Sequence, residues 1–431
     1  MTTSEMATGP AAGAPANTAR QAAVDADPRP AGTAASLGRE AAGSGAAGGS
    51  VAGGSVAGGS VAGGSVAGGS VAAGNGTAPG RRAVTAVVDG SGTAGEDSAR
   101  RTLTLAKALN TGLLAAMQAD PKTVIMGEDV GKLGGVFRIT DGLQELFGEE
   151  RVIDTPLAES AIVGTAIGLA MRGFRPVCEI QFDGFVYPAF DQIVSQLAKM
   201  HYRSAGRVRL PVTIRIPYGG GIGAVEHHSE SPEAYFCHTA GLRVVTCSNP
   251  ADAHLMIQQA VASDDPVIFL EPKRRYWEKG EVDTTPLADL PAGLRTGLHS
   301  ARVVRPGEDA TVVAYGPMVR TCLDAAEVAA AEDGRSLEVI DLRSLSPLDL
   351  DPVIESTRRT GRLVAVHEAP SNVSLSSEIA ARVTEQAFYH LEAPVLRVTG
   401  FDTPYPPARL EDHYLPDVDR ILDAVDRSFG Y

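Results

Sequence analysis

A single carboxylate stands where the polarity of the chain drops sharply. Glu159 closes the run Thr155-Pro-Leu-Ala-Glu, and the stretch that follows, Ser160 to Met171, has no charged residue. Thr155 can cap a helix, and the proline after it suits a first helical turn. The pattern predicts a buried helix that Gly173 ends. A carboxylate at that position either binds the free N–H groups of the helix end or handles a proton.

Three later segments carry further groups that could do chemistry. Phe185 lies in the run Glu179-Ile-Gln-Phe-Asp-Gly-Phe-Val-Tyr-Pro, which predicts a strand, a turn and a helix start. The glycines of Gly219–Gly223 lack the Gly-x-Gly-x-x-Gly spacing of a nucleotide loop and predict a tight turn. Two histidines, His227 and His228, follow in the run Glu-His-His-Ser-Glu-Ser-Pro-Glu. A histidine in such a polar loop can exchange a proton near neutral pH.

Helix and strand patterns alternate from Thr102 onward. The patterns predict strands at 123–126, 176–181, 211–216, 243–247, 267–270, 311–315, 337–342, 363–367 and 395–398. They predict helices at 104–119, from 159, from 190, and at 319–331, 350–358 and 375–388. The charged, proline-containing segment 273–295 is predicted to be a connector. This alternation indicates two α/β domains with mostly parallel sheets, over residues 101–285 and 300–431.

The first hundred residues differ from the rest. They are rich in Ala, Gly, Ser and Thr, and four copies of Ser-Val-Ala-Gly-Gly run from Ser50 to Gly69. Such a sequence cannot bury enough apolar surface to offset its conformational entropy, so residues 1–100 are predicted to be a disordered extension. The basic start and apolar core of a signal peptide are missing, and acidic residues weaken a transit-peptide interpretation.

Composition excludes several classes of partner. The formal net charge of −14 argues against nucleic acid, and no stretch is long and apolar enough to span a membrane. The four cysteines are scattered and form no Cys-x-x-Cys pair; Cys178 and Cys247 are predicted to be small core residues. Reduced thiols and a cytoplasmic location are therefore expected.

In this order and spacing, Glu159 and the segments at 179–192, 215–223 and 226–234 closely resemble the beta subunit of the 2-oxo acid dehydrogenase first component. That component is the thiamine-diphosphate-dependent decarboxylase of the pyruvate and branched-chain complexes. The resemblance extends from about Thr102 to Tyr431. It implies a transketolase-like pyrimidine-binding domain and a transketolase C-terminal domain. It also implies oxidative decarboxylation of a 2-oxo acid, with acyl transfer to the lipoyl group of a dihydrolipoyl acyltransferase core.

The resemblance assigns roles to individual residues. Glu159 matches the glutamate that hydrogen-bonds the aminopyrimidine of the cofactor, and whether burial or the helix terminus sets its protonation stays open. Phe185 matches the aromatic that stacks on that ring, and Leu157 and Gln181 fall at pocket positions. His228 aligns with the histidine of the family's His-Ser-Gln-Ser-Pro segment, with His227 as the rival assignment. The family's glutamine is replaced here by Glu230, a change expected to raise the pKa of the histidine.

The resemblance also implies what the chain does not hold alone. Enzymes that use thiamine diphosphate bind its diphosphate through Mg²⁺ with a Gly-Asp-Gly motif, and the sequence has none. A separate alpha subunit is therefore expected to hold Mg²⁺, with the active site at the interface of an alpha2beta2 heterotetramer. The family can also bind K⁺, here at carbonyls near Leu210, Val212, Thr213, Ala260, Ser263 and Asp265. Ser263 replaces an acidic ligand, and a plain strand-end turn explains the segment equally well.

Substrate and assembly are the least defined expectations. The Gly-Gly-Gly-Ile-Gly loop and the double histidine favour a branched-chain 2-oxo acid, with pyruvate as the alternative. An isoprenoid-type transketolase-like synthase would need a diphosphate-binding domain that the N-terminus cannot supply, and a non-catalytic subunit would not need Glu159, Phe185 and His228. The face of Gly164 and Gly168 is expected to pack against a second copy. Residues 367–371 and 401–407 are expected to dock the acyltransferase core.

Overall fold

The computed structural model describes residues 99–295 and 297–431. The predicted extension with its Ser-Val-Ala-Gly-Gly repeats lies outside the described residues, apart from its last two positions. Arg100, at the predicted end of that extension, already lies in a strand. The two predicted α/β regions fall within the described residues.

The first region contains a seven-stranded sheet and a two-stranded ribbon. Its strands are β1 (Arg100–Thr104), β2 (Thr123–Gly127), β3 (Val152–Asp154), β4 (Arg175–Glu179), β5 (Thr213–Tyr218), β6 (Arg243–Thr246), β7 (Val267–Pro272) and β8 (Lys279–Asp283). Its helices are α1 (Leu105–Ala119), α2 (Leu143–Phe147), α3 (Glu159–Met171), α4 (Met200–Arg203), α5 (Glu233–Cys237), α6 (Pro250–Ala262) and α7 (Ala292–Arg295). A 3₁₀ helix, Asp183–Ala189, and a π-helix, Gln192–Leu197, follow β4.

The second region contains a five-stranded sheet. The strands of this region are β9 (Arg302–Arg305), β10 (Ala310–Ala314), β11 (Leu337–Asp341), β12 (Ser344–Ser346), β13 (Leu363–Pro370) and β14 (Leu396–Gly400), and all but β12 belong to this sheet. Its helices are α8 (Met318–Glu332), α9 (Asp351–Thr360), α10 (Leu375–Ala387), α11 (Glu411–Tyr414) and α12 (Val418–Ser428). The sheet order is β14-β13-β10-β11-β9, in which β9 alone is antiparallel to its neighbour.

The large sheet of the first region joins the two regions. Its order is β12-β6-β7-β5-β4-β2-β3, and the strands from β6 to β3 run parallel. Strand β12, which comes from the second region, pairs antiparallel with β6 at one edge. Every residue of β2, β5 and β7 is buried, as expected for parallel strands covered on both faces. The mostly parallel two-domain fold expected from the sequence is therefore present.

The helix that begins at Glu159 departs from its prediction at its start. Thr155 and the proline after it lie outside the helix, because the N–H of Thr155 donates to the carbonyl of Gly127 at 2.9 Å. That bond keeps the chain extended beside β2, so Glu159 is the first residue of α3. Gly173 follows the helix end with a φ of +85°, a conformation that favours glycine.

The same helix is buried on one face only. Ile162, Val163 and Ala166 lie in the core, but Gly168 is exposed and 54% of Met171 is accessible. Within this chain only one side of α3 packs against the fold, so the predicted burial of the helix is confirmed on that side and stays a prediction for the other. The opposite side is uncharged yet open.

The predicted connector contains a strand. Within it, β8 pairs antiparallel with β1 along all five residues, from Arg100 opposite Asp283 to Thr104 opposite Lys279. Charged, exposed side chains hide this strand in the sequence, since only Val282 of β8 is buried. Among the described helices, none combines the length and the apolar character needed to cross a bilayer.

Candidate active site

The predicted functional residues meet at one edge of the large sheet. In a parallel sheet, the loops after the carboxyl ends of the strands share one side, where ligands usually bind. Glu128 follows β2, Gln181 follows β4, the glycine loop Gly219–Gly223 follows β5, and Lys273 follows β7. This edge is therefore the candidate site.

Two carboxylates face each other there. Glu159 is half-buried at the start of α3, whereas Glu128 is only 5% exposed and its Oε1 has no hydrogen-bond partner among the described residues. Burial raises the pKa of Glu128, and the charges of Glu159 and Asp129 raise it further. The site thus contains a buried carboxyl group with a raised pKa, beside the predicted catalytic glutamate.

The two lesser pocket predictions, Gln181 and Leu157, differ in their contacts within this chain. The amide of Gln181 lies 3.4 Å from the carbonyl of Glu128 and from a carboxylate oxygen of Asp129, which is long for a hydrogen bond. Leu157 precedes α3, and 80% of its surface is exposed. Within this chain, then, Gln181 contacts the site directly and Leu157 presents an open apolar surface.

An aromatic cluster brings Phe185 and His228 together. Phe185 lies on the 3₁₀ helix Asp183–Ala189, and its ring centroid is 5.2 Å from that of His228 in an edge-on arrangement. Phe182 contacts both, with its centroid 4.2 Å from His228 and 5.8 Å from Phe185. Helix α3 packs against the same 3₁₀ helix, which places the Glu159 helix beside the aromatic cluster.

His228 is kept in its neutral form. It ends the 3₁₀ turn Glu226–His228, is half-buried, and has a buried Nδ1 without a partner among the described residues. Its pKa is lowered by burial and then by the charges of Lys273 and His227, against an opposing effect of Glu226.

The expected effect of Glu230 on that histidine is wrong in direction. The pKa of His228 is lowered, not raised, chiefly by burial and then by the charges of Lys273 and His227, and the carboxylate of Glu230 contacts a different side chain. It accepts a hydrogen bond from the hydroxyl of Tyr187 at 3.2 Å. His227, the rival histidine, is exposed.

The glycine loop is held by carboxylates of the second region. Glu411 accepts hydrogen bonds from the N–H groups of Gly221 at 2.8 Å and Gly223 at 2.9 Å, and Glu368 accepts one from Gly220 at 3.0 Å. A Cβ on Gly220 would lie 1.9 Å from the hydroxyl of Tyr405. Glycine is therefore required there by the close approach of the second region, and the loop is tight, as predicted.

A buried ion network forms the floor of this edge. The guanidinium of Arg215 pairs with Glu179 and, through two hydrogen bonds of 2.7 and 2.9 Å, with Glu271. The hydroxyl of Tyr276 donates to Glu271 at 2.7 Å. Removing one partner of such a buried pair typically costs about 3–5 kcal/mol. The network therefore fixes the ends of β4, β5 and β7 beneath the site.

The residues predicted to bind K⁺ lie in two segments, 210–213 and 260–265, each with its own backbone hydrogen bond. Leu210 accepts from the N–H of Val212 at 2.8 Å, and Ala260 accepts from the N–H of Ser263 at 3.1 Å. Arg175 donates to the carbonyl of Ser263 at 2.9 Å, so a guanidinium supplies positive charge at this turn. The remaining predicted ligands, Val212, Thr213 and Asp265, lie in the same strand-end region. The segments are explained without an ion, and K⁺ stays a prediction. The described residues also contain no cluster of His, Cys, Asp and Glu suited to a metal.

A second concavity lies between the two regions. This cleft of about 1010 Å³ is lined by residues that include Tyr187, Tyr235, Val373, Tyr405 and Tyr414. None of Glu159, Phe185 and His228 lines it.

The two predicted docking segments differ in exposure. His367, one of the predicted docking residues, is only 1% exposed and bonds Ser376 at 2.8 Å, so it cannot itself touch a docked partner. Phe401, in the other docking segment, is 50% exposed.

Several residues of the site escaped the sequence analysis. Phe182 and Asp183 lie inside the run that carries Phe185, and Glu128 follows the predicted strand 123–126, but none of the three was given a role. Lys273 was assigned to the connector, although its position directly after the apolar strand β7 is a usable signal. Glu411 lies almost two hundred residues from the loop it binds, a separation that sequence spacing cannot reveal.

Comparison with protein families divides the chain in the same way. The family described as transketolase, pyrimidine binding domain, matches residues 101–278, and the family described as transketolase, C-terminal domain, matches residues 299–421. Among solved structures, a split-gene transketolase in an inactive beta4 tetramer aligns with a TM-score of 0.59 and 23% identity. That alignment covers 76% of this chain and 98% of that chain. At this identity the likeness shows the fold alone.

Relatives of higher sequence identity show which family within this fold the chain belongs to. A pyruvate dehydrogenase E1 component subunit beta from Leifsonia xyli is 65% identical over 77% of this chain and 96% of its own length. A 3-methyl-2-oxobutanoate dehydrogenase subunit beta from Mycobacterium tuberculosis is 56% identical, over 76% and 92%. A 2-oxoisovalerate dehydrogenase subunit beta from Pseudomonas aeruginosa is 45% identical, over 75% and 94%. The chain therefore belongs to the family of beta subunits of the first component, E1, of 2-oxo acid dehydrogenases.

Proposed function

We propose that this chain is the beta subunit of an E1 enzyme that oxidatively decarboxylates a 2-oxo acid and transfers the acyl group to a lipoyl group. The observation that carries the proposal is the contact between Phe185 and His228, with ring centroids 5.2 Å apart, beside the helix that begins with Glu159. A stacking surface, a neutral imidazole and a carboxyl group are the parts that this chemistry needs from the protein.

The residues present fit the aminopyrimidine half of thiamine diphosphate. That ring needs an aromatic surface and a carboxyl group that hydrogen-bonds one ring nitrogen. Phe185 is half-buried at the site, and Glu159 stands at the start of α3 beside Glu128, whose buried Oε1 has no partner among the described residues. When bound, thiamine diphosphate supplies the nucleophilic carbon and the electron sink for decarboxylation.

Each residue of this chain then has a distinct task. Glu159 would hydrogen-bond the aminopyrimidine nitrogen, with the buried carboxyl of Glu128 as its neighbour. Phe185 orients the ring by stacking. His228, kept neutral by burial and by Lys273, can donate its N–H to the oxygen of the substrate or guide the lipoyl group.

The site needs a second polypeptide. The exposed apolar side chains near it, such as Leu133, Val136, Leu157 and Val225, suit a subunit contact. The sequence lacks the Gly-Asp-Gly motif, so we propose that an alpha subunit holds Mg²⁺ and the diphosphate in an alpha2beta2 heterotetramer. The four cysteines are free thiols, which accords with the proposed cytoplasmic location. Docking of a dihydrolipoyl acyltransferase core on the second domain remains part of the proposal.

The substrate is proposed to be a branched-chain 2-oxo acid. This rests on the Gly219–Gly223 loop and the double histidine, and two relatives with 56% and 45% identity carry branched-chain names. Pyruvate is the second candidate, favoured by the relative with 65% identity.

The deciding experiment is turnover by the reconstituted alpha–beta pair. The pair is assayed on pyruvate and on 3-methyl-2-oxobutanoate, with a lipoyl domain as acceptor. A higher kcat/KM on the branched acid supports the proposal, and a higher value on pyruvate selects the second candidate. Absence of turnover on both, in an assembled and cofactor-loaded tetramer, would point to a non-catalytic subunit.

A further inference from the structure

A buried ion pair lies beside the aromatic cluster. The side chains of Asp183 and Lys273 are both 0% exposed, and Lys273 Nζ donates to Asp183. Taking two charges out of water is costly, so such a pair contributes little net stability and is often kept for geometry. The contacts of the two side chains show which segment the pair holds in place.

The aspartate fixes the segment that carries the histidine. Asp183 accepts a second hydrogen bond, from the N–H of Glu230 at 2.8 Å, two residues after His228. The neighbouring Gly184 lies directly against the backbone of the other histidine. A Cβ built on it would be 2.5 Å from the carbonyl oxygen of His227. The 3₁₀ helix and the histidine turn are thus joined by backbone contact and by the aspartate.

Lys273 contacts the Phe182 ring against which the imidazole of His228 packs. Its Nζ lies 5.7 Å from the ring centroid of Phe182, and that ring is 4.2 Å from the ring of His228. Lys273 also approaches the carbonyl of Pro217 at 3.4 Å, so its charge is held at the end of β5. The ammonium group of Lys273, the ring of Phe182 and the imidazole of His228 therefore pack in a row.

We propose that Asp183 and Lys273 are positioning residues for His228. The aspartate holds the histidine turn, and the lysine anchors the aspartate and the Phe182 ring against which the imidazole packs. The inference rests on the proposed function only in taking His228 as the working histidine.

The charges around the imidazole make the proposal testable by pH. Lys273 and His227 lower the pKa of His228 in addition to burial, and Glu226 raises it. Asp183 and Glu230 are the other ionisable groups on the packed elements. Loss of the lysine charge removes a repulsion that disfavours the imidazolium, so the pKa of His228 should move upward.

The test uses the reconstituted E1 enzyme with three β-chain variants. Lys273→Met removes the charge at similar length, and Asp183→Asn with Lys273→Met keeps an acceptor for Glu230 without leaving a buried unpaired carboxylate. A matched control is Asp252→Asn with Arg343→Met, which removes another buried ion pair, of 3.1 Å. Far-UV circular dichroism and sedimentation verify folding and assembly of each variant.

Two readouts separate positioning from general damage. The first is kcat/KM with the preferred 2-oxo acid. The second is the pH dependence of diethylpyrocarbonate modification at His228, resolved from His227 by peptide mass spectrometry. Both Lys273 variants are expected to lose roughly tenfold or more in kcat/KM and to shift the modification midpoint to higher pH. The control pair should change neither property.

An unchanged modification midpoint together with kcat/KM within twofold of wild type in the assembled double variant would overturn the positioning role. Failure of the proposed function looks different. In that case the wild-type enzyme turns over neither 2-oxo acid, or His228→Asn retains wild-type turnover. The modification readout still reports on the ion pair then, because it needs no turnover.

Discussion

The carboxylate of Glu411 accepts a hydrogen bond from the backbone N–H of Gly221 at 2.8 Å, across the boundary between the two domains. The same carboxylate binds Gly223 at 2.9 Å and the hydroxyl of Tyr405 at 2.6 Å. The loop so held begins where β5 ends and leads directly into the histidine turn. The second domain therefore takes part in shaping the candidate site, although its own sheet lies elsewhere.

Glu411→Ala should loosen that loop. It leaves two backbone donors without their acceptor, at a cost of about 1–3 kcal/mol. We expect faster hydrogen–deuterium exchange over residues 219–230 and roughly a tenfold loss of kcat/KM, since small misplacements near a reacting centre are costly. The neighbouring exposed residue supplies the control, because Asp412→Ala should alter neither exchange nor activity. Unchanged exchange over the loop in Glu411→Ala would contradict the clamp.

Glu159→Gln should abolish turnover with little effect on folding. An amide cannot pass a proton to and from the cofactor ring, and loss of a general acid or base typically costs about 10²–10⁴-fold. The charge at a helix start contributes only about 0.3–1 kcal/mol, so the melting temperature should barely change. Glu145→Gln, an exposed residue of α2, is the matched control. Near-normal lipoamide acylation by Glu159→Gln would remove the glutamate from the proton path.

Much of the fold could be predicted because buried parallel strands are rich in apolar residues and can be recognised in the sequence. β7 begins with the apolar run Val-Ile-Phe-Leu, and α1 shows Leu105, Leu109 and Leu113 at helical spacing. The edge elements escaped for the converse reason. β8 exposes its charges, and β12 is a three-residue strand whose partner lies a hundred residues earlier. Local composition cannot report such pairings.

The site residues likewise fall into those that local motifs predict and those that act through contacts distant in sequence. Glu159, Phe185 and His228 were predicted because each lies in a motif of distinctive local spacing, and their roles stay predictions. The partners that hold them were missed, because Lys273 and Glu411 act through contacts far apart in sequence. The pKa effect assigned to Glu230 was wrong because burial, which the sequence does not show, lowers the pKa of His228, and the carboxylate of Glu230 contacts Tyr187. Adjacency in sequence did not translate into contact with the imidazole.

The two adjacent histidines should behave differently when replaced. His228 packs against Phe182 and Phe185, whereas His227 is exposed. We expect His228→Asn to lower kcat/KM by roughly 10²-fold and His227→Asn to leave it within about threefold. Steady-state assays of the two reconstituted variants make the comparison. A larger loss in His227→Asn would reverse the assignment.

Stability should depend on pH through a buried glutamate between the domains. Glu233 is 1% exposed and accepts a hydrogen bond from Tyr315 at 2.6 Å, and burial raises its pKa from the ordinary value of 4.5 to about 7. The folded state therefore binds this proton more tightly than the unfolded state, and stability falls as pH rises from about 4.5 to about 7.

Glu233→Gln removes that proton from the balance while keeping an acceptor for Tyr315. Relative to wild type, the variant should gain stability between pH 5 and pH 8, by on the order of 3 kcal/mol. Melting temperatures at both pH values measure the difference. The exposed Glu385→Gln is the control, and it should show no pH-dependent gain. A constant difference between Glu233→Gln and wild type across this range would contradict the raised pKa.

The open face of α3 leads to the last prediction, which concerns assembly. A Cβ on Gly168 would meet no described atom within 4 Å, and one on Gly164 would lie 3.9 Å from the amide oxygen of Gln192. A larger side chain at Gly168 is therefore compatible with the fold of this chain. It can even favour the helix, since glycine is about 1 kcal/mol less favourable than alanine in a helix interior.

Gly168→Leu should leave the beta chain folded but block the tetramer. If a second subunit packs closely on this face, the added side chain overpacks the interface and costs about 1–3 kcal/mol or more at each contact. Sedimentation of the alpha–beta mixture should then show smaller species, and activity should fall in parallel. Ala330→Leu, on the exposed side of α8, is the matched control for added bulk and should assemble normally. An intact, fully active tetramer with Gly168→Leu would place the interface elsewhere, because no other consequence of this substitution is expected from the contacts within the chain.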